Sequence, residues 1–317
     1  MIQNSHQFLY LNSRASKFWG TAPSLTTVFS FLPFIGPSLN YRKLTLNKGK
    51  YMSAYYRLID NTMDAENVVT AHYAPNHAAQ GAWNAHEQHM APATGVICAE
   101  IEKFLPRSDL RIGRIHLDIW GVIWFSPFTI QTRIIRPGRT IELIESRMEA
   151  EGRTCIIATC WRMKISNTQE ISSSVNTVTA HPDKMQGWNG MQQWGGGFIE
   201  SIIFKIDKQE DQEIIWLKND LNMIEGKETS SFVHIMGMVD TANGVANRIT
   251  ADDWIFPNVD LNINLLRLPQ GRWLGINATQ EYGVDGIGLT SSILYDEFGM
   301  FGRSEQTLTI RRINKYI

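Results

Sequence analysis

A chain of 317 residues, 43% hydrophobic and with ten tryptophans, carries enough apolar material for about two ordinary domain cores and is not a disordered protein. Thirty Lys and Arg against 31 Asp and Glu leave a net charge of −1, so no basic footprint for nucleic acid is present. Three cysteines, Cys98, Cys155 and Cys160, are too few and too unpatterned for a disulfide framework or a zinc site and fit a reducing cytoplasm.

Residues 21–39 are moderately apolar, but Pro33 and Pro37 interrupt them and no small-residue cleavage site stands out, so neither a membrane span nor an export signal is expected. Patterned sequence begins at Met52, which makes 1–51 an N-terminal extension outside the working domain and Met52 a candidate start.

From there, 51–59 and 68–73 read as short strands around a turn at Asp60-Asn61, followed by a helix over 87–103. Ile-, Trp- and Thr-rich strands follow at 114–125, 129–135, 140–150 and 154–164, with Arg136-Pro137-Gly138 and Glu151-Gly152 as hairpin turns. Residues 166–194 are polar, glycine-punctuated and aperiodic, and read as a linker. The order then recurs, with strands at 197–206 and 213–218, a helix at 232–247, and strands at 258–266, 273–282, 288–296 and 303–311.

Two spacings support a duplication. Asp118 precedes Pro127 as Asp260 precedes Pro269, and Gly152 precedes Thr159 as Gly299 precedes Gln306. The repeats span 52–165 and 195–313, each a long helix with a bent antiparallel sheet, an α+β class.

Within the second repeat, HIMGMVDTANGV sets one carboxylate, Asp240, in an apolar helix-like run. An unpaired buried carboxylate is costly, so the acid is either paired, neutralised by a raised pKa, or used. The small residues Gly237, Asn243 and Gly244 share its helical face and would let a ligand approach closely. In the last strand, parity puts Gln306 on the apolar side, where its amide needs partners; the matching first-repeat residue by spacing is Thr159, which offers less. Asn258 falls on the polar side of its strand and reaches a helix carboxylate only if the strand start is bent. An ordinary structural role, Asp240 paired with Arg248 or Gln306 with backbone, stays open from the residues alone.

His72, His77, His86 and His89 cluster in sequence, but no carboxylate or Cys set is spaced to complete a metal site, so no metal or other cofactor is expected. Trp83 and Asn84 in the same stretch would line a cleft. No G-x-S-x-G elbow occurs, and Gly195-Gly196-Gly197 precedes no phosphate-binding helix.

Stretches such as GAWNAHEQH (81–89), RIIRPGRTIELIES (133–146), WGGGFI (194–199), VDTANGV (239–245), FPNVDL (256–261) and YGVDGIGLTSSILYDEFGMFGRSEQTLTIR (282–311) resemble bacterial thioesterase-like proteins of the acyl-CoA thioesterase superfamily. The resemblance implies a double hotdog fold and hydrolysis of acyl-CoA thioesters to free acid and CoA, in fatty acid metabolism, by a cytoplasmic homo-oligomer. It further implies that Asp240, Asn258 and Gln306 orient and activate a water, with Asn258 departing from the family's Ser or Thr. Hydration or dehydration of an acyl-CoA is a weaker reading, since no matching Asp/His pattern follows Asp240. A non-catalytic acyl-thioester-binding or assembly protein with a degenerate site is the alternative from another class.

Overall fold

The computed structural model describes residues 53–173, 181–210, 212–249 and 252–313, all within one compact unit, Gly49–Ile317. The extension expected over 1–51 and the apolar stretch 21–39 lie outside the described residues.

The first repeat comprises β1 (Ala54–Met63), β2 (Val69–Pro75), α1 (Met90–Lys103), β3 (Leu110–Ile119), β4 (Phe128–Arg136), β5 (Ile141–Ala150) and β6 (Arg153–Lys164). A short β7 (Gln186–Gly187) and one helical turn, α2 (Gly197–Glu200), lead into the second. That repeat holds β8 (Ile203–Lys208), β9 (Glu213–Lys218), β10 (Asn222–Ile224), α3 (Ser231–Met236), a 3-10 turn (Val239–Thr241), α4 (Ala242–Val245) and β11 (Trp254–Ile255). It closes with β12 (Asp260–Leu265), β13 (Leu274–Tyr282), β14 (Ile287–Asp296), β15 (Gly299–Thr309) and β16 (Arg311–Arg312).

One sheet carries fourteen of these strands, and it contains the same order twice: β1-β2-β4-β5-β6-β3 and β8-β9-β13-β14-β15-β12. The two halves join back to back where β3 pairs antiparallel with β12, Asp118 opposite Asp260 and His116 opposite Asn262. The duplicated plan, each half an antiparallel sheet with a central helix, is the double hotdog.

The central helices explain how the halves share one core. In α1 all but three of fourteen residues are buried, among them Ala91, Ala93 and Gly95, so a partner can come close. At the crossing, a methyl group added to Gly95 would lie 2.9 Å from Gly237 Cα, and one added to Gly237 would lie 3.5 Å from Gly95 Cα. Helix packing at this spacing leaves no room for a side chain at Gly95, and it fuses the two apolar interiors into one cluster.

Several expected boundaries move. The helix expected from 87 begins at Met90, because Gln80 and Gln88 bridge each other and Glu87 bridges Trp124. Asp60-Asn61 is not a turn: β1 runs on to Met63, and the reversal lies at Asp64, whose Oδ1 accepts from Glu66 N and Val68 N, both at 2.9 Å. The strand expected at 114–125 is β3, ending at Ile119, and that expected from Gly197 starts at Ile203. The helix expected over 232–247 is interrupted at Gly237 and Met238 and resumes as a 3-10 turn, which places Asp240 on a break instead of a regular helix.

Candidate active site

Asp240 sits in that 3-10 turn, 6% exposed. Its Oδ1 accepts two amide donors, Asn258 Nδ2 at 2.9 Å and Gln306 Nε2 at 2.9 Å. The remaining protons of those amides are engaged too, Asn258 Nδ2 with Asp260 O at 3.0 Å and Gln306 Nε2 with Asp240 O at 3.4 Å. Both donors therefore serve one carboxylate oxygen and leave Oδ2 without a hydrogen bond among the described residues. Burial drives the carboxyl up from 3.8 to about 6, against the two amide hydrogen bonds, which pull it down.

Asn258 reaches the acid through a bulge. It pairs with Leu308, whereas from Asn262 onward β12 meets β15 with Asn262 opposite Glu305, so one extra residue lies on the β12 side. The slack falls at Val259 and Asp260. Val259 turns out to solvent, and the Asp260 carboxylate takes the Thr307 amide at 2.6 Å. Strand parity is thereby reversed, and Asn258 faces inward along with Leu261 and Ile263.

Register also corrects the counterpart of Gln306. Ala150 opposite Arg153 closes the first hairpin, and Asp296 opposite Gly299 closes the second. Counted back from those closing pairs, Ile144 matches Thr290, and their partners are Cys160 and Gln306, so Thr159 is one position off and half-buried on the other face. The two hairpin glycines misled the spacing: Gly152 lies in its turn, whereas Gly299 is the first residue of β15. Across three strands the second repeat aligns Gln280, Thr290 and Gln306, all buried, where the first has Ile134, Ile144 and Cys160. Three residues beyond the crossing glycines, Cys98 stands in the first repeat where Asp240 stands in the second. This row of buried polar side chains is thus a feature of the second repeat.

Oδ2 of Asp240 faces a small cleft whose walls come from both repeats. The first repeat contributes Ala82, Trp83 and His89, the connecting segment Met191, Trp194 and Ile199, and the second repeat Thr241, Asn243, Gly244, Phe256 and Asn258. Trp83, Trp194 and Phe256 pack edge to face in a triangle, with centroids 4.8, 5.3 and 5.9 Å apart. Gly196 and Gly197 deliver Trp194 to this triangle by close backbone approach. A methyl group on Gly197 would lie 2.0 Å from His77 O, and Gly196, at φ 95°, would meet Gly81 O at 2.3 Å.

His89 caps α1: its Nδ1 accepts the Ala91 amide at 3.0 Å. A backbone N–H can only donate, so Nδ1 is unprotonated and Nε2 bears the ring proton. Nδ1 lies 3.8 Å from Asp240 Oδ2, yet the pair is not an ion pair, because burial pushes the imidazole down to about 3. The same tautomer prevents Nε2 from accepting a proton, which speaks against an acyl-CoA dehydration dyad.

Of the residues expected at a site, Asp240, Asn258 and Gln306 converge within hydrogen-bond distance, and Trp83, Asn243 and Gly244 line the cleft. Gly237 does not line it, being occupied at the helix crossing, and neither does exposed Asn84, whose Oδ1 accepts the His86 amide and shapes the loop. Asp240 is not paired with Arg248. The four clustered histidines disperse: His72 meets Asp60 at 2.6 Å, far along the chain from capping His89, and no group of three or more His, Cys, Asp or Glu that could hold a metal occurs among the described residues. Among the described residues no helix is long and apolar enough to cross a membrane. Among the wall residues that sequence reasoning missed are His89, Met191, Trp194 and Phe256; only the glycine run beside Trp194 signalled a close backbone approach.

No functionally curated protein matches the chain in sequence. Solved structures match at the level of fold. A hot dog fold protein of Alicyclobacillus acidocaldarius aligns with a TM-score of 0.63 at 10% identity, over 80% of this chain and 97% of its own. An acyl-CoA thioesterase II of Mycobacterium marinum aligns at 0.56 and 12% identity, over 81% and 97%. A TesB protein of Mycobacterium avium subsp. paratuberculosis aligns at 0.54 and 9%, over 80% and 96%. The acyl-CoA thioesterase N-terminal domain matches residues 79–163 and the C-terminal domain residues 179–310, one on each repeat and in the family's order. With both domains matched over more than half of its length and folded as a double hotdog, the chain belongs to the acyl-CoA thioesterase family.

Proposed function

We propose that the protein hydrolyses acyl-CoA thioesters to a carboxylic acid and CoA, with Asp240 as general base. The observation that carries this reading is the asymmetry of the carboxylate: Oδ1 is held by Asn258 and Gln306, and Oδ2 is left open on the cleft. A water on Oδ2 gives that oxygen its proton as it attacks the thioester carbonyl carbon. The carbonyl π pair moves to oxygen, then returns as the carbon–sulfur bond breaks, and the departing thiolate takes the proton from Asp240. Water and thioester thus become acid and thiol with no other reactant.

Asn258, in place of the family's hydroxyl residue, performs the holding role with an amide donor. Its second proton ties the bulge to Asp260 O, so the geometry of the acid and of the strand are set together. The described thiols, Cys98, Cys155 and Cys160, are free and buried, which suits a reducing cytoplasm.

The test is release of free thiol from a panel of acyl-CoAs of different chain length, wild type against Asp240→Asn. Turnover by the wild type and its loss in the variant is expected. Saturable binding with no turnover of any acyl-CoA would favour a non-catalytic acyl-thioester-binding protein instead.

A further inference from the structure

Thioester hydrolysis builds negative charge on the carbonyl oxygen, which needs donors aimed at it. In a fold with a buried central helix, the first-turn amides are the obvious supply. In α1 that supply is reduced to the Met90 amide. The Ala91 amide is spent on His89 Nδ1, Pro92 has no N–H, and the Ala93 amide goes to His89 O at 3.4 Å. The residue that consumes these donors is itself a cleft wall, and its ring carries one proton, on Nε2, for which no protein acceptor occurs among the described residues.

Resting on the hydrolysis reading above, we propose that His89 is a catalytic residue from the first repeat, whose Nε2–H donates a hydrogen bond to the thioester carbonyl oxygen while Asp240 of the second repeat activates the water. Three observations support it. The ring lies against the correct carboxylate oxygen, with Nδ1 3.8 Å from Oδ2, so the cleft space beside it borders both the donor and the base. Its orientation is fixed twice, by the Ala91 amide and by Phe198, whose ring centroid is 4.2 Å away. It also stays neutral at working pH, so it stabilises the oxyanion as a donor and keeps its proton throughout. Trp83 and Trp194 are the other ring donors of the cleft wall, and Trp194 Nε1 is buried without a partner among the described residues.

The decisive variant is His89→Asn. Asparagine is a good helix cap, so the Ala91 amide keeps an acceptor, while the donor that reaches into the cleft is lost. Using the acyl-CoA that the wild type hydrolyses fastest, we expect kcat to fall about a hundredfold or more, with KM changed less than a few fold and the melting temperature held. Asp240 and His89 are the titratable groups lining the cleft, and the acid limb of kcat/KM should stay with Asp240, near pH 6, in the variant. Trp194→Phe serves as the comparison and should lose less than His89→Asn.

An independent measurement needs no variant. In wild-type protein labelled with 15N-histidine, the ketone analogue of the same acyl-CoA, with CH2 in place of sulfur, should shift one Nε2–H resonance. Wild-type turnover with an undiminished kcat in His89→Asn, or no Nε2–H shift on saturation with the ketone, overturns the proposal. So does disappearance of the acid limb near 6 in the variant, since that would make His89 the base. Absence of turnover in the wild type would instead overturn the hydrolysis reading beneath it.

Discussion

Replacing Asp240 by Asn separates stability from activity with a defined pH signature. The folded protein holds this carboxyl at about 6 because ionising it means charging a buried group, whereas in the unfolded chain it titrates near 3.8. The native state thus keeps the proton longer than the unfolded state does. As pH rises from about 4 to about 6 the wild type loses stability, by about 1.4 kcal/mol per unit, or about 3 kcal/mol in total, and no further loss follows above that window. The variant is neutral at every pH, and its Oδ1 can still accept from Asn258 and Gln306. It should therefore be more stable than the wild type at pH 8 by about 3 kcal/mol, roughly 5 °C in melting temperature for a chain of this size. The two should converge at pH 4. Groups common to both proteins cancel in the difference. Hydrolysis should fall by a factor of about 100 or more in the same variant. The assays are paired denaturant melts at pH 4 and pH 8 and thiol release at pH 8. A stability difference that does not depend on pH would refute the buried, strained carboxylate, and an unchanged rate would refute its role as base.

Gln306→Leu removes a donor that pulls the Asp240 carboxyl down, so the acid limb of kcat/KM should move above 6, with reduced kcat, in a pH–rate profile. Gly95→Ala places a methyl group 2.2 Å from Met223 Cε and 2.9 Å from Gly237 Cα; the first can move but the second is backbone, so unfolding in urea should show a loss of about 1–3 kcal/mol with the acid limb unmoved. Arg267→Met removes the counter-charge of the fully buried Asp296, which accepts two guanidinium hydrogen bonds at 2.5 and 2.6 Å and would keep only the Gln270 and Phe298 amides, and should cost about 3 kcal/mol by denaturant melt without altering the pH profile.

How far the sequence carries depends on what each feature needs. The alternation around Gln306 is local, and it correctly sets that side chain inward, as does the run around Asp240, whose lone charge among apolar residues marks it. The bulge that turns Asn258 inward is not local. It arises because the Asp260 side chain replaces a ladder acceptor for Thr307, a competition that strand parity does not represent. The break at Gly237 is not local either: glycine there reads as a small residue beside a ligand, whereas it lies at the helix crossing, packed on Gly95 and Met223. Trp194 and Met191 lie in a stretch with no periodicity, and only the backbone contact of Gly196 and Gly197 with the 77–81 loop brings them to the cleft. His89 could be seen near a helix start, but not that its own Nδ1 would take the cap, nor that doing so fixes which nitrogen keeps the proton.

These details account for one site in a chain with two nearly identical halves. Duplication placed equivalent inward positions on both sheets, and the ladder shows how they diverged: Gln280, Thr290 and Gln306 in one half, Ile134, Ile144 and Cys160 in the other. A carboxylate facing Ile134, Ile144 and Cys160 would meet no amide donors from that row. Under the second sheet, two amides lower the cost of burial while leaving it large enough to hold the carboxyl near 6. The first half, relieved of the acid, was free to lend its helix start to the shared cleft, where Trp83 and His89 face the second half's Asp240. Since the walls come from both halves, neither repeat alone would retain the site. The glycine crossing that fuses the cores is therefore also what keeps His89 within 3.8 Å of the acid.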